Sequence, residues 1–224
     1  MIHIKDIAER PSKADIDSLS KFSPATIHEA QGRKGALSSR LKPVDHRMKL
    51  CGPAFTVKSA PRDNIMLQFA IHYAKPGDII VVSAGEYEEA GSFGDVLANA
   101  CLAKGIGGLV TDTGVRDTAI LRDLGLPVFS LSVSIKGTVK ETVAAVNDPI
   151  IVGGEIVNPG DIIVGDADGL VVVRRDEAQK VAQLSQARDD EEARYIEAYK
   201  RGTTVMEICK LDAFIKAKGV VVDI

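Results

Sequence analysis

Residues 54 to 131 set the strongest limit on what this chain can fold into. Four short apolar runs, Ala54-Phe55-Thr56-Val57-Lys58, Ile79-Ile80-Val81-Val82, Gly107-Gly108-Leu109-Val110-Thr111 and Pro127-Val128-Phe129-Ser130, alternate with three helix-length segments at about residues 64 to 74, 93 to 104 and 117 to 124. Parallel strands need a crossover of a dozen or more residues, usually a helix, so this β-α-β-α-β-α-β order predicts a largely parallel sheet with helices on its faces. Ile79 to Val82 is apolar and β-branched throughout, as expected of a strand covered on both sides. Asp63 is placed to cap the first helix, with Ile65, Leu67, Phe69 and Ile71 available for burial, and Pro76-Gly77-Asp78 reads as a turn.

The flanks differ in character. Ser23-Pro24 reads as an N-cap followed by a proline at the first helical position, and Gly32 as the end of that short helix. Residues 32 to 49 carry Arg33, Lys34, Arg40, Lys42, Arg47 and Lys49 without clear periodicity. A nucleic-acid patch would interleave aromatics with these charges, and almost none are present, so a solvated loop is expected. Residues 150 to 174 are almost all strand and turn, with Asp166-Ala167-Asp168-Gly169 closing a hairpin. Pro76-Gly77-Asp78-Ile79-Ile80-Val81 is echoed by Pro159-Gly160-Asp161-Ile162-Ile163-Val164, which two similar turn-to-strand starts suffice to explain. Residues 176 to 200 form a long helix by composition, and residues 207 to 224 another helix followed by a short strand.

Composition removes several function classes. With 28 Lys and Arg against 31 Asp and Glu, the net charge of −3 gives no general attraction to nucleic acid or anionic membrane. Aromatics are 4% with no Trp, so rows of stacking platforms for single strands are not available. No apolar run approaches the ~18 residues of a membrane span, and the N-terminus is too charged for a signal peptide, so a cytoplasmic location is expected. Cys51, Cys101 and Cys209, and His3, His28, His46 and His72, are too scattered for a disulfide framework or a zinc cluster. Any metal would therefore be held by carboxylates.

The candidate chemistry concentrates between Gly85 and Asp117. Gly91-Ser92-Phe93-Gly94-Asp95 opens a helix after an apolar strand, where exposed amides suit a carboxylate or phosphate. A plain glycine loop has the same look, and neither GxGxxG nor a P-loop is present. Thr111-Asp112-Thr113-Gly114-Val115-Arg116-Asp117 lies at the carboxyl end of a parallel strand, where α/β sheets bind ligands. Arg116 offers a guanidinium fork and Asp117 a hard oxygen ligand, although an ion pair with a helix cap would use the same residues. Asn64, Glu191 and Glu192 read by themselves as a helix-start residue and a solvated helix face. Lys58, Lys104 and Lys136 are conceivable Schiff-base nucleophiles.

The stretch from Gly91 to Asp95, Ala98 and Ala100, then Gly105-Ile106-Gly107-Gly108-Leu109-Val110-Thr111-Asp112 and Gly114-Val115-Arg116-Asp117, resembles the RraA-like superfamily over roughly residues 20 to 220. That superfamily contains 4-hydroxy-4-methyl-2-oxoglutarate/4-carboxy-4-hydroxy-2-oxoadipate aldolases and RraA regulators of ribonuclease E. Its most specific part is the Gly-Asp pair followed by Arg-Asp about 21 residues later. The resemblance implies a swivelling α-β-β sandwich with a C-terminal helical extension, divided into residues 1–175 as the catalytic unit and 176–224 as a tail packing on a neighbouring subunit. The tail, Ala187-Arg188-Asp189-Asp190-Glu191-Glu192-Ala193 with the later Arg201-Gly202, looks like that of the aldolase branch. By resemblance Asp117 binds Mg²⁺ or Mn²⁺, Arg116 stabilises a pyruvate enolate, and Asp95 and Glu192 hold metal-bound waters, Glu192 from another subunit of a trimer or hexamer. Gly91, Ser92, Phe93 and Gly94 then hold the pyruvyl carboxylate, and Asn64 lies on the substrate side. Thr113 departs from the pattern, which commonly has Gly there. The implied activity is metal-dependent cleavage of a small 4-hydroxy-2-oxo acid with accompanying oxaloacetate decarboxylation. The alternative is a non-catalytic regulator.

Overall fold

The computed structural model describes residues 4–221. Two short helices come first, α1 (Lys13–Leu19) and α2 (Pro24–Ala30), followed by strands β1 (Lys42–Pro43) and β2 (Leu50–Lys58). The central alternation is α3 (Ile65–Tyr73), β3 (Ile79–Ser83), β4 (Gly91–Phe93), α4 (Asp95–Lys104), β5 (Gly108–Val115), α5 (Thr118–Leu124) and β6 (Val128–Val133). The strand-rich part holds β7 (Ile150–Val152), β8 (Glu155–Val157), β9 (Ile162–Gly165) and β10 (Leu170–Val173). Helices α6 (Ala178–Lys200), α7 (Val205–Ile208) and α8 (Leu211–Ala217) close the chain. After α8, Val220 and Val221 are in no strand; residues 222–224, the rest of the strand expected there, lie outside the described residues, as does His3.

The main sheet runs β1-β6-β5-β3-β2-β9-β10, with β4 pairing β5 off this path. β2, β3, β5 and β6 are mutually parallel, and β9 joins the other edge of β2 antiparallel. Successive strand side chains point to opposite faces, and β3 divides its residues accordingly. Ile80 and Val82 join a core beneath α3, α4 and α5, while Ile79 and Val81 join a second core under the separate β7-β8 hairpin. The result is the expected α-β-β layering. A third cluster covers β9 and β10 with α1, α2 and the start of α6, including Leu19, Ile27, Ala178 and Val181. Among the described residues no helix is long and apolar enough to cross a membrane.

Several boundaries differ from the sequence expectation. α4 starts at Asp95 rather than near Phe93, because Gly91–Phe93 pairs with β5 as a strand and the Phe93 ring is fully buried. β5 runs on through Asp112, Thr113 and Gly114, a segment whose polar composition reads as loop. Two of its buried polar side chains are satisfied: the Asp112 carboxylate accepts from the amides of Ala84 and Glu86, and the Thr113 hydroxyl donates to the Tyr87 carbonyl at 2.6 Å, while the buried Thr111 hydroxyl has no partner among the described residues. In α3 the helical period buries Met66, Leu67, Ala70 and Ile71, leaving Ile65 and Phe69 only partly covered. α1 has no counterpart in the sequence reading, although Ser12 and Asp15 form a capping box at its start.

Candidate active site at the carboxyl end of β5

β4, α4 and β5 form one crossover unit whose strands end side by side, with Gly91 opposite Gly114 and Phe93 opposite Val115. Arg116 and Asp117 follow β5 and therefore meet the segment Gly91 to Asp95. The Arg116 amide donates to the Phe93 carbonyl at 2.9 Å, which fixes the two segments together. The stem of Arg116 then lies across the backbone of two glycines. A Cβ on Gly91 would sit 3.1 Å from Arg116 Cβ and Cδ and 2.3 Å from the Ser134 carbonyl oxygen. A Cβ on Gly94 would sit 2.2 Å from Asp117 Oδ2 and 3.1 Å from Arg116 Cγ. Both glycines are needed for close approach, and Gly94 has an extended backbone that any residue could adopt.

Asp117 is the N-cap residue of α5 and takes the left-handed conformation, φ 58° and ψ 36°. Non-glycine residues rarely do so, with Asp and Asn the best tolerated. Its Oδ2 lies 3.4 Å from Arg116 Nε and accepts a long 3.4 Å hydrogen bond from the Asp95 amide. Gly94 offers no capping side chain to α4, so the Asp117 carboxylate sits where a cap would. The positive end of the α4 dipole thus faces the same place as the guanidinium. Asp95 is half-buried and its Oδ1 accepts from the Val96 amide at 2.8 Å.

Asn64, Gly91, Ser92, Gly94, Asp95 and Arg116 line a pocket of about 170 Å³. Asn64 is nearly buried; its Nδ2 donates to the Ser92 carbonyl at 3.1 Å and its Oδ1 accepts from Gln68 at 3.2 Å. Phe93 lies behind the pocket, its side chain in the core. Glu192 does not line it. Glu192 pairs with Arg188 at 3.0 Å on α6, which packs on α1 and α2. Glu191 accepts from the Tyr195 hydroxyl.

Five lining residues were not anticipated: Val96 and Leu97 from the first turn of α4, and Gly137, Thr138 and Lys140. The last three belong to the segment after β6, which the Gly91 amide reaches by donating to the Lys136 carbonyl at 2.8 Å. The lysines considered for a Schiff base lie elsewhere: Lys136 pairs with Glu89, Lys104 donates to the His72 carbonyl, and Lys58 is exposed at the end of β2. Burial pushes the Cys101 thiol up to about 12, and burial with the nearby Asp17 does the same for Cys51, so both are neutral thiols in the folded chain.

A larger groove of about 560 Å³ runs between α2, β8 and α6. There Arg33 is tied to Glu29 and Arg174 to the buried Asp161, so the groove shows no comparable convergence of groups. In the basic stretch expected to be a solvated loop the three arginines are paired in the same manner, Arg40 with Glu86 and Glu88 and Arg47 with Asp45 beside the Arg33 pair.

Comparison with known proteins bears on the family and the fold. The family model RraA-like, described as Aldolase/RraA, matches residues 13–172. A protein of Halalkalibacterium halodurans named "Putative 4-hydroxy-4-methyl-2-oxoglutarate aldolase" is 35% identical over 187 residues, covering 82% of this chain and 89% of that one. The crystal structure of an uncharacterized protein from Pseudomonas syringae pv. tomato superimposes with a TM-score of 0.78 at 27% identity, over 89% of this chain and 98% of that chain. That of Streptomyces coelicolor RraAS2, titled an unusual member of the RNase ES inhibitor RraA protein family, gives a TM-score of 0.72 at 30% identity, over 85% of this chain and 100% of that chain. With matched residues that include both the glycine pair and Arg116-Asp117, the chain belongs to the RraA-like family.

Proposed function

We propose that this protein is a divalent-metal-dependent (class II) pyruvate aldolase. It cleaves 4-hydroxy-4-methyl-2-oxoglutarate, 4-carboxy-4-hydroxy-2-oxoadipate or a close analogue, and decarboxylates oxaloacetate through the same charge-stabilising groups. The observation that carries this reading is Arg116, which lines a small polar pocket and lies against Gly91 and Gly94, with the Asp117 carboxylate beside its guanidinium and against Gly94.

The donor set fits a hard cation. Among the described residues no cluster of three or more His, Cys, Asp or Glu could hold a metal alone. Mg²⁺ commonly uses one or two carboxylates and keeps several waters. Asp117 would hold Mg²⁺ or Mn²⁺ directly, and Asp95 through water. When bound, the ion supplies Lewis acidity toward the 2-oxo acid.

The chain's own groups do the rest. The start of α4 holds the C1 carboxylate, its Asp95 amide exchanging the long 3.4 Å bond to Asp117 for the substrate. Arg116 places a fixed positive charge where the C2 oxygen becomes negative as the C3–C4 bond breaks. Asp95 Oδ2, left free by the Oδ1 bond to the Val96 amide, receives the C4-hydroxyl proton by way of a water. Asn64 holds the Ser92 carbonyl and with it the floor of the pocket. Loss of CO₂ from oxaloacetate develops the same charge at the C2 oxygen.

Glu192 of a second copy would complete the site in a trimer or hexamer. Supporting this, Glu192 is away from the pocket of its own chain, and the outer half of α6 exposes Tyr195, Ile196 and Tyr199, which a neighbour could cover. The decisive experiment is pyruvate release from 4-hydroxy-4-methyl-2-oxoglutarate and from oxaloacetate, with Mg²⁺ or Mn²⁺ and with EDTA. Turnover that stops in EDTA and returns with metal is the expected result. No metal-dependent release from either substrate would favour the family's other branch, a regulator acting by protein binding.

A further inference from the structure

Asn64 stands at the N-cap of α3, yet its side chain makes no capping bond to that helix. Asparagine is among the best residues for that bond. The Asp63 carboxylate takes over, accepting from the Ile65 amide at 2.9 Å. The Asn64 side chain reaches instead across 28 positions, where Nδ2 donates to the Ser92 carbonyl at 3.1 Å. Departures from local preference of this kind concentrate at functional sites.

The orientation of the Asn64 side-chain amide is set from two sides. A backbone carbonyl only accepts, so the Asn64 atom facing Ser92 is Nδ2 and the atom left for α3 is Oδ1. Oδ1 needs a donor, and Gln68 Nε2, one helical turn on, supplies it at 3.2 Å. Nδ2 keeps a second hydrogen that has no acceptor among the described residues, and Asn64 lines the pocket that Arg116 also lines. Turned over, the same amide would set Oδ1 against the Ser92 carbonyl and give the pocket an acceptor where negative charge develops.

We propose that Gln68 is a positioning residue. It locks the Asn64 amide so that a donor faces the substrate and the Ser92 carbonyl stays bound. Gln68 does not line the pocket and acts only through Asn64. The kinetic consequence rests on the aldolase reading, and the orientation of the amide does not.

Gln68→Glu tests this, because a carboxylate only accepts at neutral pH and donates again once protonated. The introduced carboxyl, at a half-buried position beside a carbonyl oxygen, titrates above the ordinary ~4.3. The chain has four asparagines, Asn64, Asn99, Asn147 and Asn158, so asparagine-selective ¹⁵N labelling gives four side-chain amide pairs. The pair of Asn64 is identified by its loss in Asn64→Asp. In Gln68→Glu this pair should be displaced at pH 7.5 and move back toward its wild-type position at pH 5.0, while in wild type it stays fixed. In pyruvate release with Mg²⁺, kcat of Gln68→Glu should be about a tenth of the wild-type value at pH 7.5 with KM within about threefold, as for a lost hydrogen bond to developing charge. That fraction should at least double at pH 5.0. Gln68→Met, which neither donates nor titrates, should show a loss independent of pH. A merely structural part for Gln68 would lower the melting temperature and leave the fraction constant with pH. An Asn64 pair unmoved by Gln68→Glu, or a kcat fraction that does not rise in acid, overturns the proposal. If wild type releases no pyruvate, the aldolase reading fails, and the amide resonances still decide the orientation.

Discussion

Replacing Gly94 by Ala separates the geometry of the site from the stability of the fold. The backbone of Gly94, φ −155° and ψ −164°, is open to any residue, so Ala adds no backbone strain. As an N-cap, Ala is worse than Gly by about 1 kcal/mol. For a chain of this size that lowers Tm by about 2–4 °C. The site is affected differently. The new Cβ would lie 2.2 Å from Asp117 Oδ2 where ordinary contact begins at 3.4 Å, so the carboxylate must retreat by about 1.2 Å. It would move away from the start of α4 and from Arg116 Nε, also 3.3 Å from the new methyl. A displacement of about 1 Å at a reacting group can cost about 10²-fold in rate. The expected outcome is a folded protein with a slightly lower Tm, weaker Mn²⁺ binding by titration, and kcat/KM for pyruvate release down by about two orders of magnitude. Wild-type kcat/KM in a folded Gly94→Ala protein would refute the assignment of chemistry to Asp117 and Arg116.

Arg116→Ala should lose about 3 kcal/mol or more of transition-state stabilisation, as when an oxyanion donor is removed, and Arg116→Lys should lose much of it because the planar fork is gone; steady-state kinetics beside a thermal melt will show whether kcat falls while folding is kept. Asp117→Asn keeps a residue that tolerates the left-handed backbone, so it should weaken metal binding without added strain, whereas Asp95→Asn should lower kcat with metal affinity nearer wild type; metal titration would expose an exchange of these roles. Mixing Glu192→Ala chains with Asp117→Ala chains after dissociation and reassembly should restore a minority of activity, and none restored in proven mixed oligomers would exclude a shared site. Burial pushes the Asp63 carboxyl up, but the amides of Ile65, Glu141 and Thr142 outweigh it and hold the pKa below the ordinary 3.8. Its stabilisation is therefore full at neutral pH and is lost as pH falls below 3.8 and through the lower folded value. Asp63→Asn should destabilise by about 3 kcal/mol at pH 7 in denaturant melts, with the gap to wild type closing in that acid range.

What could be read from the sequence follows the range of the interactions. The Pro-Gly-Asp echo is a local device, and the structure gives both copies the same chemistry. Asp78 accepts from the Lys75 amide at 2.8 Å and Asp161 from the Asn158 amide at 2.9 Å, each closing its own turn, and each also meets an arginine, Arg10 and Arg174. The two following strands flank β2, one parallel and one antiparallel. Apolar periodicity likewise located the parallel strands and α3 to α5, because burial on a sheet face acts through neighbours in the chain. The polar end of β5 was not legible, since Asp112 and Thr113 find their partners in residues 83 to 87, across the fold. Lys140 was hidden for the same reason, brought to the pocket by an aspartate 77 positions earlier. The Ser12/Asp15 capping box of α1 is a local signal, three residues apart in the sequence.

The spacing between Gly94-Asp95 and Arg116-Asp117 has a topological origin. β4 and β5 are parallel, so the chain leaving β4 must travel the length of the sheet and return before β5 can end beside it. α4 from Asp95 to Lys104 makes the outward passage and β5 from Gly108 to Val115 the return. Arg116 and Asp117 are then the first residues free of the strand, and they meet the same glycines from which the crossover began. Shortening or lengthening this unit by one residue would carry a different side chain to the close approach at Gly94, or bury the guanidinium in the sheet. The left-handed turn at Asp117 adds a second condition, because it redirects the chain into α5 at once and holds the carboxylate against the start of α4. Two glycines, one crossover and one strained aspartate thus specify a single arrangement of charge, which is why a motif split across about 21 residues carries more information than either half alone.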